Sequence, residues 1–248
     1  QKNKSDISNA SKIDRLKLML DKVKFVAKNA IYLKKWSNKN YPNKNEILPK
    51  FNITYARCFN INYSHFSIRI INNSHQLMRK VKLLRQKSFF EQSNGNKIDS
   101  DEFDELCDHL VVVDKSVSDD FVVGTYRLLL KPKLKKQQKF YSQSEFNISN
   151  LLNSNNKNST LLEAGRSCVH KNYRDGRIIK LLWRGLATYI VNNQVDLIFG
   201  CASFPSCDYK LFRDQLSYLH HFHRPPKFLD TSPLENLKAN FKIIKKKA

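Results

Sequence analysis

The sequence has no long apolar run. No stretch free of charged residues exceeds 11, whereas a membrane-spanning helix needs about 18 or more mostly apolar residues, so a transmembrane span is excluded. Cysteine is sparse: Cys58, Cys107, Cys168, Cys201 and Cys207 are odd in number and contain no CxxC pair. That argues against a disulfide framework and a zinc ribbon, and the thiols are expected reduced in a cytoplasmic protein. No secretory leader is visible, because the first apolar residues are interrupted by Lys and Asp. Acid is in short supply, with 22 Asp+Glu against 44 Lys+Arg, a formal charge of +22. Such an excess suits phosphate, an anionic membrane surface or an acidic protein partner. The basic residues are dispersed, Lys and Asn are abundant together, and no nucleic-acid recognition motif occurs, so solvated faces explain part of the charge and nucleic acid is not expected.

At 248 residues and 41% hydrophobic, the chain can build one large core. From Ser11 to Trp36 apolar residues fall at Ile13, Leu16, Leu20, Val23 and Ala27, the spacing of an amphipathic helix with Lys12, Arg15, Lys17, Lys22, Lys24 and Lys28 on its other face. It suits an anionic bilayer or packing on the domain. With the Asn/Lys/Pro-rich linker Ser37–Lys50 it makes a first region, 1–50, before a main domain, 51–226, and a basic tail, 227–248.

Within the domain, Phe66–Ile71 reads as a strand, and Ser74 as the cap of a helix to Phe90 with Leu77, Val81, Leu84 and Phe89 on its apolar side. His109–Asp114 and Phe121–Leu130 read as an antiparallel pair. Lys131–Lys139 and the Asn/Ser-rich Asn147–Thr160 are expected as surface segments. Leu161–His170 is a strand containing Gly165, a marker of a bulge or of close backbone approach. A helix over about Arg177–Asn193, a buried strand Leu197–Ala202 and a helix from Asp208 complete the pattern. The order predicts an α/β domain around a mixed sheet flanked by helices.

Five blocks carry a resemblance: EFDELCDHLVVVD (Glu102–Asp114), VVGTYRLL (Val122–Leu129), FYSQSEF (Phe140–Phe146), LEAGRSCVHKNYRDGRIIKLLWRGLATYI (Leu162–Ile190) and DLIFGCASFPSCD (Asp196–Asp208). In this order, and continued by Leu216–Pro226, they resemble the L-ornithine Nα-acyltransferases of ornithine-lipid synthesis, which have the GCN5-related N-acyltransferase fold. The resemblance implies transfer of a 3-hydroxyacyl group from acyl carrier protein to the α-amine of L-ornithine. It implies no resident cofactor and no metal, the acyl carrier protein thioester being a substrate. A looser similarity runs to acyl-homoserine lactone synthases through Glu163 with Arg166 and Gly124 with Arg127. A non-catalytic basic binding domain is the reading from another class. Family members continue well past the segment matching Pro226, so strands completing the sheet are expected either to be missing here or to be replaced by an edge strand from Phe228 and Phe241–Ile244.

That chemistry assigns roles. An α-amine has a pKa of about 8, so a base helps it attack; Glu163 is either that base or a carboxylate that orients Arg166 and Arg127. A bulge at Gly165 would free amides for the oxyanion, unless the glycine sits in an ordinary strand. Arg127 and Arg166, with Asp104 and Asp108, are the candidate substrate contacts, the arginines for a substrate carboxylate, unless the arginines pair internally with Asp104, Asp108 or Glu163. The segment Tyr173–Arg177 departs from the acetyltransferase pattern R/Q-x-x-G-x-G/A: counted from Arg174, its two small positions fall on Arg177 and Ile179. That favours a carrier-protein donor over coenzyme A. Arg174, Gly176 and Arg177 would meet the phosphopantetheine phosphate, and Lys180 and Arg184 would join them in steering an acidic carrier protein, or all would solvate that helix face. Trp183 is expected to wall the acyl slot. The triplet His220, His221, His223 and the group Asp104, Asp108, His109 match no metal-ligand spacing, and Cys168 is expected to pack as a small hydrophobe.

Overall fold

The computed structural model describes residues 59–90, 98–135, 137–153, 160–204, 206, 208–239 and 242–244. The chain divides into two units, Gln1–Thr54 and Tyr55–Ala248. The basic helix and linker expected over 1–50 lie outside the described residues, as does Phe241.

Strand β1 (Asn60–Tyr63) turns at Ser64, which adopts φ 54°, into β2 (Phe66–Ile71). All four β1 residues are exposed, so the sequence offered no alternation to read there. Helix α1 begins at Met78, not after Ser74, and ends at Phe89. The Ser74 hydroxyl donates to Asn72 Oδ1 instead, and the His75 ring accepts the Leu77 amide, so local side-chain bonds delay the helix by a turn. A short 3-10 turn, Glu102–Glu105, is closed by a capping box between Asp101 and Asp104.

Strands β3 (Asp108–Asp114) and β4 (Val122–Leu130) form the expected antiparallel pair. The segment after it is less bare than expected. Within it, β5 (Phe146–Asn147) and α2 (Ser149–Asn153) bury Ile148 and Leu151 against Leu129, Phe140 and Leu161. Then follow β6 (Leu161–Val169), α3 (Arg177–Asn192) and β7 (Leu197–Phe199). The stretch expected as one buried strand to Ala202 is thus a strand for three half-buried residues only. Helix α4 (Arg213–Phe222) is preceded by a 3-10 turn that Asp208 caps through the Lys210 amide. The tail adds β8 (Ser232–Pro233) to β5. Phe228 is exposed and Lys242–Ile244 form no strand, so the substitute edge strand expected there does not exist among the described residues.

The main sheet runs β1-β2-β3-β4-β6-β7, antiparallel except for the last pair. Alternation puts Ile68, Leu110, Val112 and Leu128 on one face, covered by Ile178, Leu182, Leu186 and Tyr189 of α3. Ile71, Val111 and Val113 point the other way, under Met78, Val81 and Leu84 of α1. Each fully buried Leu or Ile contributes about 1.5–3 kcal/mol, so both helices are fastened by their apolar stripes. No described helix is long and apolar enough to cross a membrane.

Candidate active site

The β6 and β7 strands pair only across Leu161–Glu163 and Leu197–Phe199, after which they part. A Cβ built on Gly200 would lie 2.1 Å from the Ala164 carbonyl oxygen, so the chain leaves β7 in backbone contact with β6. At the other edge of β6, Arg127 faces Gly165 and Thr125 faces Cys168. Two residues, Arg166 and Ser167, therefore oppose Tyr126 alone. Arg166 adopts φ 49°, and this left-handed residue makes the β-bulge that Gly165 signalled in the sequence. The side of Gly165 is open, with nothing within 4 Å of a Cβ built there. Parted strands and bulge open a cleft of about 1280 Å³ walled by Gly165, Ser167, Trp183, Gly200, Cys201 and Phe204, with Phe89 and Phe90 half-exposed beside them. Trp183 lies on the cleft wall, edge-on to Tyr126.

Beside the cleft three arginines interlock with three aspartates. Arg85, on α1 and 1% exposed, donates to Asp99 at 2.6 Å and Asp104 at 2.7 Å. Arg127 reaches Asp101 at 2.5 Å and Asp104 at 3.2 Å, between the rings of Phe103 and Tyr141. Burial would raise the Asp104 carboxyl, but hydrogen bonds and charge from Arg85, with Arg127 behind, outweigh it and hold the pKa down at about 2. Asp101 is lowered against the same burial by Arg127. Arg166 is held more loosely, 3.4 Å from Asp101 and 3.7 Å from Asp99, over Tyr141 and Phe89. Its Nε is buried and has no hydrogen-bond partner among the described residues. Of the two expected carboxylate receptors, Arg127 is committed internally and Arg166 keeps a donor to offer.

Three expectations are corrected. Asp104 is 1% exposed inside the ion-pair network and does not line the cleft. Asp108 is tied to the Tyr189 hydroxyl and to Lys133, each at 2.5 Å, also away from the cleft. Glu163 orients neither arginine. Its carboxylate accepts the amides of Tyr141 (2.9 Å) and Ser142 (2.7 Å) and the Ser142 hydroxyl, fastening the 3-10 turn Tyr141–Ser144 to β6.

The basic group at α3 takes the solvated arrangement of the two expected. Gly176 caps the helix at φ 95°, but the Arg177 amide a phosphate would meet is taken by Asp175 Oδ1 at 2.9 Å, and the Arg177 guanidinium by Asp175 Oδ2 at 2.7 Å. Arg174 donates to the Val169 carbonyl, and Arg184 lies over the Tyr63 ring. These three and Lys180 are exposed, and none of them, nor Gly176, lines the cleft.

Sequence reasoning missed Tyr141 and Glu145, whose block was recognised without a role, and the Arg85 cluster. Its signal was a charge on the apolar stripe of α1, four residues after Val81. Cys168 packs in the core, and burial lifts its thiol to about 11 and that of Cys107 to about 12, which keeps both protonated and poor nucleophiles.

Residues 84–184 match the acetyltransferase (GNAT) domain family. The chain is 34% identical over 175 residues to L-ornithine N(alpha)-acyltransferase of Rhodobacter capsulatus, covering 66% of each chain. It is 44% identical over 128 residues to the enzyme of that name from Agrobacterium fabrum, 50% of this chain and 43% of that one. The solved AHL synthase LasI superposes loosely, with a TM-score of 0.37 and 15% identity over 56% of this chain and 72% of that one. The sheet, the bulged strand and the domain match together define an acetyltransferase (GNAT) domain. Within that class, the chain belongs to the L-ornithine N(alpha)-acyltransferase family. It spans 43% to 66% of the length of the curated relatives it matches.

Proposed function

We propose that this chain transfers a 3-hydroxyacyl group from the thioester of acyl carrier protein to the α-amine of L-ornithine, forming an amide. One observation carries the reading: an open glycine face beside a bulged strand, at the point where the neighbouring strand turns away. Beyond Glu163 the β6 edge facing β7 has no strand partner among the described residues, so its amides are free to meet a thioester laid alongside. The amine, once neutral, attacks the carbonyl carbon; the C–N bond forms, the C–S bond breaks, and the nitrogen's proton ends on the departing thiol. Arg166 receives the acceptor carboxylate through its unpartnered Nε, and Glu163 keeps the 141–144 turn in place as a positioning residue. The acyl chain runs past Trp183 and Phe204 toward Phe89 and Phe90. Arg174, Arg177, Lys180 and Arg184 present positive charge to the acidic carrier protein. An amphiphilic product of this kind is delivered to an anionic membrane surface.

The test is incubation with 3-hydroxyacyl carrier protein and labelled L-ornithine, the product being identified by mass spectrometry. Arg166→Ala is expected to raise the KM for ornithine about tenfold or more while changing the donor KM little. Absence of acyl-ornithine, or acylation of S-adenosylmethionine in its place, refutes the reading.

A further inference from the structure

The FYSQSEF block folds as the turn that Glu163 fastens, and its glutamate has no part in that fastening. Glu145 ends the turn and sits half-buried on the cleft wall. The cleft is lined by two carboxylates, Glu145 and Glu163, and neither has an ion-pair partner among the described residues. The carboxylates around them do have such partners: Asp99, Asp101 and Asp104 face arginines, and Asp108 faces Lys133. The oxygens of Glu163 are occupied by three donors of the turn. Burial and the neighbouring Glu145 carboxylate raise the pKa of the Tyr141 hydroxyl, and burial raises that of the Cys201 thiol, while Glu145 itself faces no cation in an ion pair among the described residues. A partly desolvated carboxylate without a counter-charge is a receptor for one.

We infer that Glu145 receives the terminal ammonium of a diamino-acid acceptor, and so sets the preference for a cationic side chain. The inference rests on the acceptor site proposed above and deepens it. Tyr141 adjoins both receptors: the Arg166 guanidinium lies 5.5 Å from its ring centroid, and Glu145 is close enough to its hydroxyl to help raise that hydroxyl's pKa. An extended diamino acid, about 6 Å from carboxylate to terminal nitrogen, would offer one end to each receptor, with a charge-assisted hydrogen bond of about 2.8 Å at each. An acceptor with an apolar side chain would leave the Glu145 charge unmatched in the cleft.

The experiment is calorimetric titration of the full chain with L-ornithine and with L-norvaline, which has the same carbon skeleton without the terminal ammonium. Wild type is expected to bind ornithine about 10- to 100-fold more tightly. Glu145→Gln is expected to remove most of that ratio, and Glu145→Asp, which keeps the charge, to retain part of it. Thermal melts establish that both variants are folded. A ratio unchanged in Glu145→Gln, or equal or absent binding of the two amino acids by wild type, overturns the inference. So does equal loss of acylation with both acceptors, the signature of a base. A wild type that acylates ornithine while Glu145→Gln keeps its ratio refutes this inference alone; a Glu145-dependent ratio without acyl transfer refutes only the proposed reaction.

Discussion

Gly165 on β6 and Gly200 just past the end of β7 flank the point where the two strands part, and opposite behaviour is expected when each is enlarged. At Gly200 a methyl group would lie 2.1 Å from a backbone oxygen, more than 1 Å inside any normal contact. No flexible side chain can yield there, so β6 and β7 must move apart. Overpacking of this kind costs about 1–3 kcal/mol, which in a protein of this size lowers Tm by about 2–4 °C per kcal/mol. Gly200→Ala is therefore expected to melt about 2–12 °C below wild type. At Gly165 the same methyl group meets nothing, and φ is not positive, so Gly165→Ala is expected to stabilise by about 0.4–1 kcal/mol through the unfolded chain. Its cost appears in function: Gly165→Leu projects into the space assigned to the thioester and should lower acyl transfer tenfold or more, an increase in barrier of about 1.4 kcal/mol. Scanning fluorimetry and the acyl-transfer assay read the two effects separately. A Gly165→Leu enzyme with wild-type turnover and donor KM would show that the thioester lies elsewhere, and a Gly200→Ala protein melting with wild type would refute the close approach.

Two further outcomes concern the charge cluster. Arg85→Met leaves Asp99 and Asp104 without their buried partner and is expected to cost about 3–5 kcal/mol in urea unfolding, part of it regained by adding Asp99→Asn; a loss under about 1 kcal/mol would refute the pairing. His109, fully buried with its Nε2 3.1 Å from the Asp104 carbonyl, has its pKa lowered by burial from 6.5 to about 4. The unfolded chain then binds the extra proton between those values, so up to about 3 kcal/mol of stability is lost as pH falls from 6.5 toward 4. Asp104, lowered from 3.8 to about 2, adds a loss of about 2 kcal/mol as pH falls through that lower window. Unfolding free energy measured from pH 7 to 3 should fall along this course, and His109→Gln should flatten its upper part.

Long elements with clear periodicity were legible in the sequence. The apolar set Ile178, Leu181, Leu182, Leu186 and Tyr189 is the buried face of α3, and the β3–β4 pair follows its hydrophobic runs. Short elements were not: β1 exposes every residue, and the two-residue β5 and β8 stabilise each other only through pairing across 84 intervening positions, Asn147 to Ser232. Among site residues, Gly165 and Arg166 could be picked out because a glycine interrupts a strand and an arginine follows it. The roles of Glu163, Asp108 and Arg177 could not. Each is decided by a partner that chain order does not reveal or that competes locally: the 141–142 amides, the Tyr189 hydroxyl and Asp175.

By itself the sequence determined the class of fold, the family and the strand on which the site is built, because hydrophobic period and motif order are properties of the chain. Only the tertiary structure decided which charges are spent. Arg127, Asp104 and Asp108 are neutralised inside the protein, whereas among the described residues Arg166 keeps an unpartnered buried donor and Glu145 makes no ion pair. The reason is that a charged group's availability depends on the distance and burial of its counter-charge, and the partners here come from separate segments that the fold brings within a few ångströms.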